Sequence, residues 1–533
     1  MIIKFLKNRH RVFIFALAVM FLSLLPYCLA YASQGEDWRF TGFLLAVEDG
    51  NSYLAKMMSG AWGEWLFKGP YTTEPQNGVI AFFPYILLGK LTAPPGQHEQ
   101  LVALYQGYRV LAGVLAILAV DDFLSLFMES NKYRWWALVL SVLGGGLGWI
   151  PVLLGRKGIL GSLPLDFISP ESFGFLSLFT IPHLSLARAL FLWGMVSFLA
   201  DRNGWRTGIC WLLMGLLQPM FVVLGWAILA AYLTLKVFFV GIHFHEGGSV
   251  SAIIQTVRKE LKAGAIAWII SAPIAAYTAY VFAVDPYLSA WGGQKIVNSP
   301  HPGHYLLAYG LMLPFMLVNF FRGKIIERKQ DLFLLAWTAA FPVLVYAPVT
   351  SQRRLAEGFW VLLAAGVFRA VELISIPWVR KMRWAYLLLF PSSLLIFSGS
   401  IQVACQPAYP AFRPREEIEA YRYLQQQDLV NKNVISSFRT GNSLPAWAPV
   451  HVAVGHGAES PNRDTAEKEI NELLSEETAD DRRKEILNTY RGDYLFWGPW
   501  EKDLGQWQPN SAVYLDEVFS TGKYKIFRID DDD

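Results

Sequence analysis

Two adjacent carboxylates, Glu48 and Asp49, lie in a polar stretch after the first long apolar run, and Tyr53 follows four residues after Asp49. A carboxylate held at a bilayer surface is partly desolvated, which raises its pKa toward the range where a general base is effective. Asp49 is therefore a candidate base for deprotonating an acceptor hydroxyl. The alternative is a helix N-terminal charge or cap, because Asp-Gly-Asn-Ser is also typical of turns and caps.

Three further carboxylates offer additional or competing roles. Glu36 and Asp37 stand near Asp49 in sequence and with it would supply oxygen ligands to a cation, whereas an ordinary solvated loop needs none. Glu171 opens a later apolar run and is either a second acid or a carboxylate favoured at a helix N-terminus. The chain contains no HExxH metal motif, so the cofactor is left as unknown, with a divalent cation as an open alternative.

The strongest basic signal is the pair Arg353 and Arg354, within the segment 352–358. The pair falls in a short loop predicted to face outward, against the usual cytoplasmic excess of Lys and Arg. Guanidinium groups bind phosphate oxygens in a bidentate way, so the pair is a candidate clamp for the phosphate or pyrophosphate of a lipid carrier. The alternatives are binding to anionic lipid headgroups and an ion pair with Glu357.

Arg109, His183 and Arg188 lie inside apolar runs, where ionisable groups are functional candidates by default. Arg109 and His183 fall near the predicted outer ends of their runs. Snorkelling of these two side chains to the membrane interface is therefore the alternative to a functional role.

The elements that must position these residues are predicted to be membrane helices. Of the 533 residues, 54% are hydrophobic and 17% are charged, whereas a soluble protein is typically about a quarter charged. With the repeated apolar runs, this composition predicts a polytopic α-helical membrane protein. The net charge of +3 gives no indication of nucleic acid, and the three cysteines show no metal-ligand or redox spacing.

The apolar runs predict about eleven spans, at residues 12–31, 101–128, 135–153, 173–199, 208–217, 220–239, 263–284, 305–321, 332–349, 358–374 and 384–404. Gln218-Pro219 leaves open whether 208–239 is one kinked helix or two spans. Lys and Arg alternate between connections, which predicts a cytoplasmic N-terminus and an extracytoplasmic C-terminus. The first run, preceded by Lys4, Lys7, Arg9 and Arg11, is predicted to be a retained anchor rather than a cleaved signal peptide.

Two regions are predicted to lie outside the membrane. The first outer loop, 32–100, contains a short, proline-broken apolar segment at 79–91, which is expected to lie along the interface. After residue 404, charged helical stretches alternate with short strands, which predicts a transmembrane module at 1–404 and a small extracytoplasmic α/β domain at 405–533. In that domain, the Gly-rich segments 441–443 and 455–460 are either ordinary turns or a device that positions an acceptor.

The order of these features resembles the GT-C superfamily of polytopic glycosyltransferases, which use lipid-phosphate-linked sugars, and in particular its bacterial protein-mannosyltransferase-like members. In that group a first span leads into a large outer loop with an acidic motif and a tyrosine, then interfacial helices and a span entered through an arginine. The matching residues here are Glu48-Asp49, Tyr53, the segment 79–91, Tyr108-Arg109, Pro182-His183, Gln352-Arg353-Arg354, Glu357-Gly358 and Gly455-His456. The resemblance implies a catalytic carboxylate, which maps onto Asp49, although Glu48-Asp49 inverts the usual Asp-Glu order.

We therefore expect an inverting glycosyltransferase of the bacterial cell (inner) membrane that moves a sugar from a polyprenyl-phosphate donor to an extracytoplasmic acceptor. The predicted catalytic residues are Asp49 and Glu48, and the predicted substrate-binding residues are Tyr53, Arg109, Glu171, His183, Arg353 and Arg354. This requires Asp49 and the arginine pair to meet in one outer pocket. The alternatives are a transporter or flippase of a lipid-linked or anionic solute, which predicts inverted repeats and midplane charges, and a non-catalytic scaffold in envelope assembly.

Overall fold

The computed structural model describes residues 9–156, 158–243, 250–294, 296–322, 327–374, 383–427, 430 and 432–530. Lys4 and Lys7, which contributed to the predicted orientation, lie outside those residues. The chain divides into two compact units. Unit 1 consists of Met1–Ser23, Tyr108–Tyr280 and Ile296–Gly399, and unit 2 consists of Leu24–Gly107, Val281–Lys295 and Ser400–Asp533. The first outer loop and the C-terminal segment therefore belong to the same unit.

The described part of the chain is largely helical. Its α-helices are His10–Leu22, Leu25–Ser33, Val47–Ala61, Phe83–Gly89, Gln97–Leu124, Asn131–Leu143, Trp149–Leu153, Leu165–Ile168, Gly174–Thr180, Pro182–Asp201, Gly204–Gly215, Pro219–His243, Val250–Val284, Pro286–Gln294, Pro302–Tyr309, Leu313–Arg322, Lys329–Val345, Phe359–Leu373, Pro391–Cys405, Arg415–Gln426, Phe438–Ser443, Arg463–Leu474, Asp480–Thr489 and Pro499–Gly505. Short 3-10 helices lie at Gln352–Ala356, Arg383–Leu389, Leu444–Ala446 and Pro509–Ser511.

Six helices within the described residues are long and apolar enough to cross a membrane, and a bent pair is a seventh candidate. The six are His10–Ser33, Gln97–Leu124, Pro182–Asp201, Pro219–Ile242, Gln255–Val284 and Ala385–Cys405. The bent pair, Pro302–Tyr309 and Leu313–Arg322, meets at 75°. These helices support a multi-pass membrane protein, and the count of eleven spans stays a prediction.

The remaining predicted runs also form helices, but shorter ones. These helices are Asn131–Leu143, Gly204–Gly215, Lys329–Val345 and Phe359–Leu373. The region left open at 208–239 contains two helices, because the second begins at Pro219, whose missing N–H is tolerated at a first helical position. The run at 173–199 is divided in the same way, since a new helix starts at Pro182. At these two positions a proline marks a helix boundary that hydrophobicity alone does not show, whereas Pro273 and Pro342 lie inside helices.

Unit 1 has a continuous apolar core in which large aromatic side chains are fully buried. Phe191 lies between Trp211 and Trp337, with ring centroids 6.5 and 5.7 Å away. Phe341 stacks on Phe359 at 3.7 Å. Because lipid tails are as apolar as these side chains, close packing rather than water exclusion stabilises such helix contacts in a membrane.

Unit 2 combines helices with two sheets. β1 (Trp38–Phe40) pairs antiparallel with β2 (Phe412–Pro414), which joins the first outer loop to the C-terminal segment. The second sheet has the strand order β4-β3-β5-β7-β6. Its strands are β3 (Asn433–Ile435), β4 (His451–Val452), β5 (Tyr494–Trp497), β6 (Leu515–Thr521) and β7 (Tyr524–Ile529). β3 is parallel to β4 and β5, whereas β7 is antiparallel to β5 and β6. The predicted small α/β region is therefore present at the C-terminus.

Two details of unit 2 differ from the sequence prediction. The stretch 465–490, which its charged residues predict to be helical, is divided into two helices, Arg463–Leu474 and Asp480–Thr489. β6 was not predicted, because Asp516 and Glu517 make it read as a polar loop; both carboxylates form ion pairs with the neighbouring strand β7. Within 79–91, the helix Phe83–Gly89 packs against the helix Val47–Ala61.

His451 in β4 gives unit 2 a predicted pH response. Its Nδ1 lies 3.2 Å from the carbonyl oxygen of Gly69, and burial lowers the pKa of this histidine. An unfolded histidine gains a proton near pH 6.5 while the native one does not, so stability is retained above that pH and lost as the pH falls below it. We expect the melting temperature to drop between pH 7.5 and 5.5, as measured by tryptophan fluorescence.

The variant His451→Gln should make this pH dependence less steep, and the part that remains is expected from His98, which is also a buried histidine. His301→Asn is the matched control, because His301 is exposed and Asn keeps an N-cap acceptor for the helix Pro302–Tyr309. An unchanged pH slope in His451→Gln would contradict the prediction.

Candidate active site

The helix Val47–Ala61 carries the acidic pair in its first turn. The chain enters it through Ala46 in a left-handed conformation, with a φ of 49°, and no side chain caps the helix. Asp49 lies inside the helix, so the capping alternative does not describe it. Both carboxylates stand in the first turn, at the positive end of the helix dipole, as the alternative of an N-terminal helix charge requires.

Two loops from the C-terminal segment close around this helix start. Glu48 Oε1 accepts a hydrogen bond from the Gly457 N–H at 2.6 Å, and Asn442 Nδ2 donates to the Glu48 carbonyl at 3.3 Å. Asn51 Nδ2 in turn donates to Asn442 Oδ1 at 2.8 Å. The segments 441–443 and 455–460, singled out from the sequence, are therefore brought to the acidic motif.

Glycine is required where these two loops meet each other. A Cβ atom on Gly455 would lie 2.4 Å from the carbonyl carbon of Gly441, and one on Gly441 would lie 2.1 Å from the Val454 oxygen. Only residues without side chains permit this backbone approach. The glycines therefore act as packing residues that fix the loop next to the carboxylates.

His456 faces the Asp49 carboxylate. Its Nε2 lies 3.4 Å from Asp49 Oδ1, and the Asp49 side chain is 48% exposed while that of His456 is 4% exposed. His456 Nδ1 accepts hydrogen bonds from the N–H groups of Ala458 and Glu459, at 3.3 and 3.2 Å. These bonds assign the neutral ring's proton to Nε2, the nitrogen that faces Asp49. Asp49 is thus open to solvent on one side and faces a buried imidazole on the other.

A buried ion pair connects the segment 455–460 to the helix Val47–Ala61. Lys56 Nζ, whose side chain is 0% exposed, lies 2.9 and 2.8 Å from the two carboxylate oxygens of Glu459. Ser52 Oγ accepts a hydrogen bond from Lys56 Nζ and donates one to Glu459 Oε1. Tyr287 OH donates to the Glu459 carbonyl at 3.0 Å. Burial lowers the pKa of Lys56, and the adjacent Glu459 carboxylate opposes that shift. Burial also raises the pKa of Tyr71, which donates to the Asn442 carbonyl at 3.1 Å.

Tyr53, one turn after Asp49, is held in an aromatic stack. Its ring lies 4.9 Å from that of Tyr85 with an interplanar angle of 13°, and 6.2 Å from that of Tyr105. The side chain is partly buried. Its predicted role in substrate binding stays a prediction.

Unit 1 contains a second polar cluster, built around Glu357. Its carboxylate is fully buried and forms a bidentate pair with Arg188, with Arg188 Nη2 at 2.9 Å from Oε2. The same guanidinium also donates to the carbonyl oxygens of Pro170 and Phe173, at 2.9 and 3.2 Å. The alternative that Glu357 neutralises the arginine pair 353–354 is wrong, because its oxygens are bound by Arg188.

The arginine pair lies beside a different carboxylate. Arg354 Nε is 3.6 Å from Oε1 of Glu171, which is buried just before the helix Gly174–Thr180. Arg353 Nε is buried and has no hydrogen-bond partner within the described residues, and burial lowers the pKa of this arginine. The cluster contains the guanidiniums of Arg188, Arg353 and Arg354 and the carboxylates of Glu171 and Glu357. Its net charge is therefore +1. An anion is the natural ligand for such a surplus.

Arg109 and His183 are both buried. Arg109 Nη1 donates to Ser23 Oγ at 2.8 Å and to the Leu178 carbonyl at 3.2 Å, next to the C-terminus of the helix His10–Leu22. His183 lies at the start of the helix Pro182–Asp201. Their snorkelling to an exposed position is not observed, and their predicted contacts with substrate stay predictions.

The predicted meeting of Asp49 with Arg353 and Arg354 also stays a prediction, because Asp49 belongs to unit 2 and the arginines to unit 1. Across the described residues, no group of three or more His, Cys, Asp or Glu side chains is arranged to hold a metal ion.

Two residues of the site, Lys56 and Glu459, were not predicted from the sequence. Lys56 could have been recognised from the sequence, because a lysine in an apolar stretch needs a partner. Its flanking residues are Leu54, Ala55, Met57 and Met58.

Three solved structures illustrate what the chain is similar to. They are the oligosaccharyltransferase of Archaeoglobus fulgidus tethered to an acceptor peptide (12% identity, TM-score 0.47, 91% of this chain and 69% of that chain), ArnT from Cupriavidus metallidurans bound to undecaprenyl phosphate (12%, 0.45, 98% and 98%), and the arabinofuranosyltransferase AftD from Mycobacteria (11%, 0.49, 93% and 41%). All three are GT-C glycosyltransferases.

No protein-family model and no curated protein matches the chain. Likenesses at 11–13% identity concern the fold alone, so they do not show which reaction this chain carries out.

Proposed function

We propose that this protein is a membrane glycosyltransferase that moves a sugar from a polyprenyl-phosphate donor to a hydroxyl of an extracytoplasmic acceptor. The observation that carries the proposal is the half-exposed Asp49 carboxylate facing the buried Nε2 of His456. A carboxylate that is fixed on one side and accessible on the other has the geometry that a general base needs.

In the proposed reaction, the acceptor O–H gives its proton to Asp49 while its oxygen forms a bond to the anomeric carbon. The bond between that carbon and the phosphate oxygen breaks, and the phosphate leaves with the electron pair. Single displacement inverts the anomeric configuration. Glu48 holds the Gly457 loop in place, and His456 orients the base.

The proposed phosphate ligands are Arg353 and Arg354. Among the described residues Arg353 Nε has no hydrogen-bond partner, and its cluster carries a surplus positive charge; both observations support this role. A leaving phosphate gains negative charge as the glycosidic bond breaks, so guanidinium groups stabilise the transition state more than the ground state. The proposal also includes a location in the bacterial cell membrane, with a cytoplasmic N-terminus and unit 2 outside.

The direct test is to incubate the purified protein with a panel of polyprenyl-phosphate sugars and to detect released polyprenyl phosphate by mass spectrometry. Cleavage of one donor, with or without an added acceptor, supports the proposal. No cleavage of any donor by a folded preparation contradicts it.

Arg353→Ala should weaken use of the donor. A hydrogen bond to a charged group contributes about 1.5–3 kcal/mol, which corresponds to a decrease of about 10- to 150-fold in kcat/KM. The matched control is Arg206→Ala in the same unit, because the Arg206 side chain is 70% exposed and pairs only loosely with Asp201 at 3.8 Å. Equal kcat/KM values in the two variants would remove Arg353 from the proposed mechanism.

A further inference from the structure

A cavity of about 800 Å³ lies wholly within unit 2, at the C-terminal end of the helix Val47–Ala61. Its volume falls in the range of small-molecule sites, about 300–1,000 Å³. An α-helix rises 1.5 Å per residue, so Trp62 at the cavity stands about 20 Å along the helix axis from Asp49. The cavity is therefore separate from the candidate active site.

Two tryptophans line the cavity and are held in place by their neighbours. Trp62 Nε1–H donates to Gln97 Oε1 at 2.8 Å, and the ring of Trp447 stacks on His98 with centroids 3.4 Å apart. The indole N–H of Trp447 is buried, and none of the described residues accepts a hydrogen bond from it. A hydroxyl group of a ligand or a water molecule is one way to satisfy such a buried donor.

The charges in the cavity wall offset each other. Arg422 Nη2 donates to Glu99 Oε1 at 2.7 Å, so the cation is already paired with a carboxylate. The other polar groups are the imidazole of His98, which stacks on Trp447, and neutral amides: Gln425 Nε2 donates to Gln97 Oε1 at 3.0 Å, and Gln426 lines the wall beside it. Such a wall does not favour a phosphate or an anionic lipid headgroup. It suits a neutral ligand with many hydroxyl groups and an apolar face.

We propose that this cavity is a binding site for a neutral saccharide. Trp62 packs against the C–H face of a sugar ring, while the Trp447 N–H and the glutamine amides bind hydroxyl groups. Aromatic rings with a polar edge are suited to such amphipathic ligands. The proposal concerns binding and does not depend on the transfer reaction, so it stands or fails separately.

The test is saturation-transfer difference NMR on the full-length protein in lipid nanodiscs, which avoids sugar-based detergents. The probes are methyl α-mannoside, methyl α-glucoside, methyl β-galactoside and chitobiose, with sodium phosphate and glycerol phosphate as anionic probes. We expect ring C–H signals from at least one saccharide, binding about fivefold weaker in Trp62→Ala, and no binding of the anions.

Trp65→Ala is the matched control, because Trp65 is 62% exposed in the same unit and does not line the cavity. It should bind the saccharide as the wild type does. If Trp62→Ala does not fold, Gln426→Ala replaces it, with the same expected loss. The proposal is overturned if no saccharide gives a signal, if an anionic probe binds instead, or if the folded cavity variants bind like the wild type.

Discussion

Asp49→Asn is expected to lower the rate of sugar transfer by about 10²- to 10⁴-fold, the usual contribution of a general base. Asparagine keeps the shape of the side chain and an oxygen that can accept from His456 Nε2, which lies 3.4 Å from Asp49 Oδ1. It cannot take the acceptor proton at neutral pH. The loss should therefore appear in kcat, with an unchanged melting temperature, in an assay of product formation from a labelled donor.

Asp37→Asn is the control for this experiment. Asp37 is an exposed carboxylate in the same unit, and its backbone carbonyl, not its side chain, accepts from the Arg415 N–H at 2.7 Å. This variant should retain wild-type activity. Full activity in Asp49→Asn, or an equal loss in both variants, would refute the assignment of Asp49 as the base.

Lys56→Met is expected to cost about 3–5 kcal/mol of unfolding free energy, because it leaves the Glu459 carboxylate buried without its cation. Lys56 and Glu459 are both buried and joined by two hydrogen bonds. The double variant Lys56→Met/Glu459→Leu removes both charges and should recover most of that loss. Denaturant unfolding followed by tryptophan fluorescence measures the three values of a double-mutant cycle.

The control for this cycle is Lys68→Met, which breaks the partly exposed pair with Glu64 at 2.8 Å. A surface pair of this kind contributes about 0–1 kcal/mol. If Lys56→Met were no more destabilising than Lys68→Met, the buried pair would not be what fixes the 455–460 loop against the acidic helix.

The sequence was informative where one residue type has one dominant physical meaning. Long apolar runs predicted helices at every one of the eleven positions, and Glu48 and Asp49 stood out because charge is rare in this chain. Helix boundaries were less predictable, since hydropathy continues across Pro182 and Pro219, where new helices start, while Pro273 and Pro342 lie inside helices.

Partnerships between distant residues were not accessible from the sequence. Lys56 and Glu459 are separated by 403 positions, and Arg188 and Glu357 by 169. Glu357 adjoins the arginine pair in sequence, which suggested the wrong partner, because its carboxylate is bound by the distant Arg188. β6 was missed for another reason: Asp516 and Glu517 give it a polar sequence, although both carboxylates pair with Arg528 and Lys525 of the next strand, β7.

The central claim is that the chain breaks a sugar–phosphate bond rather than carrying the intact lipid. The most direct measurement uses proteoliposomes with a fluorescent polyprenyl-phosphate sugar, followed for both bond cleavage and movement between leaflets. We predict that polyprenyl phosphate and transferred or released sugar accumulate, and that cleavage stops in Asp49→Asn. Movement of the intact donor across the bilayer without any cleavage would contradict the account and favour a transporter.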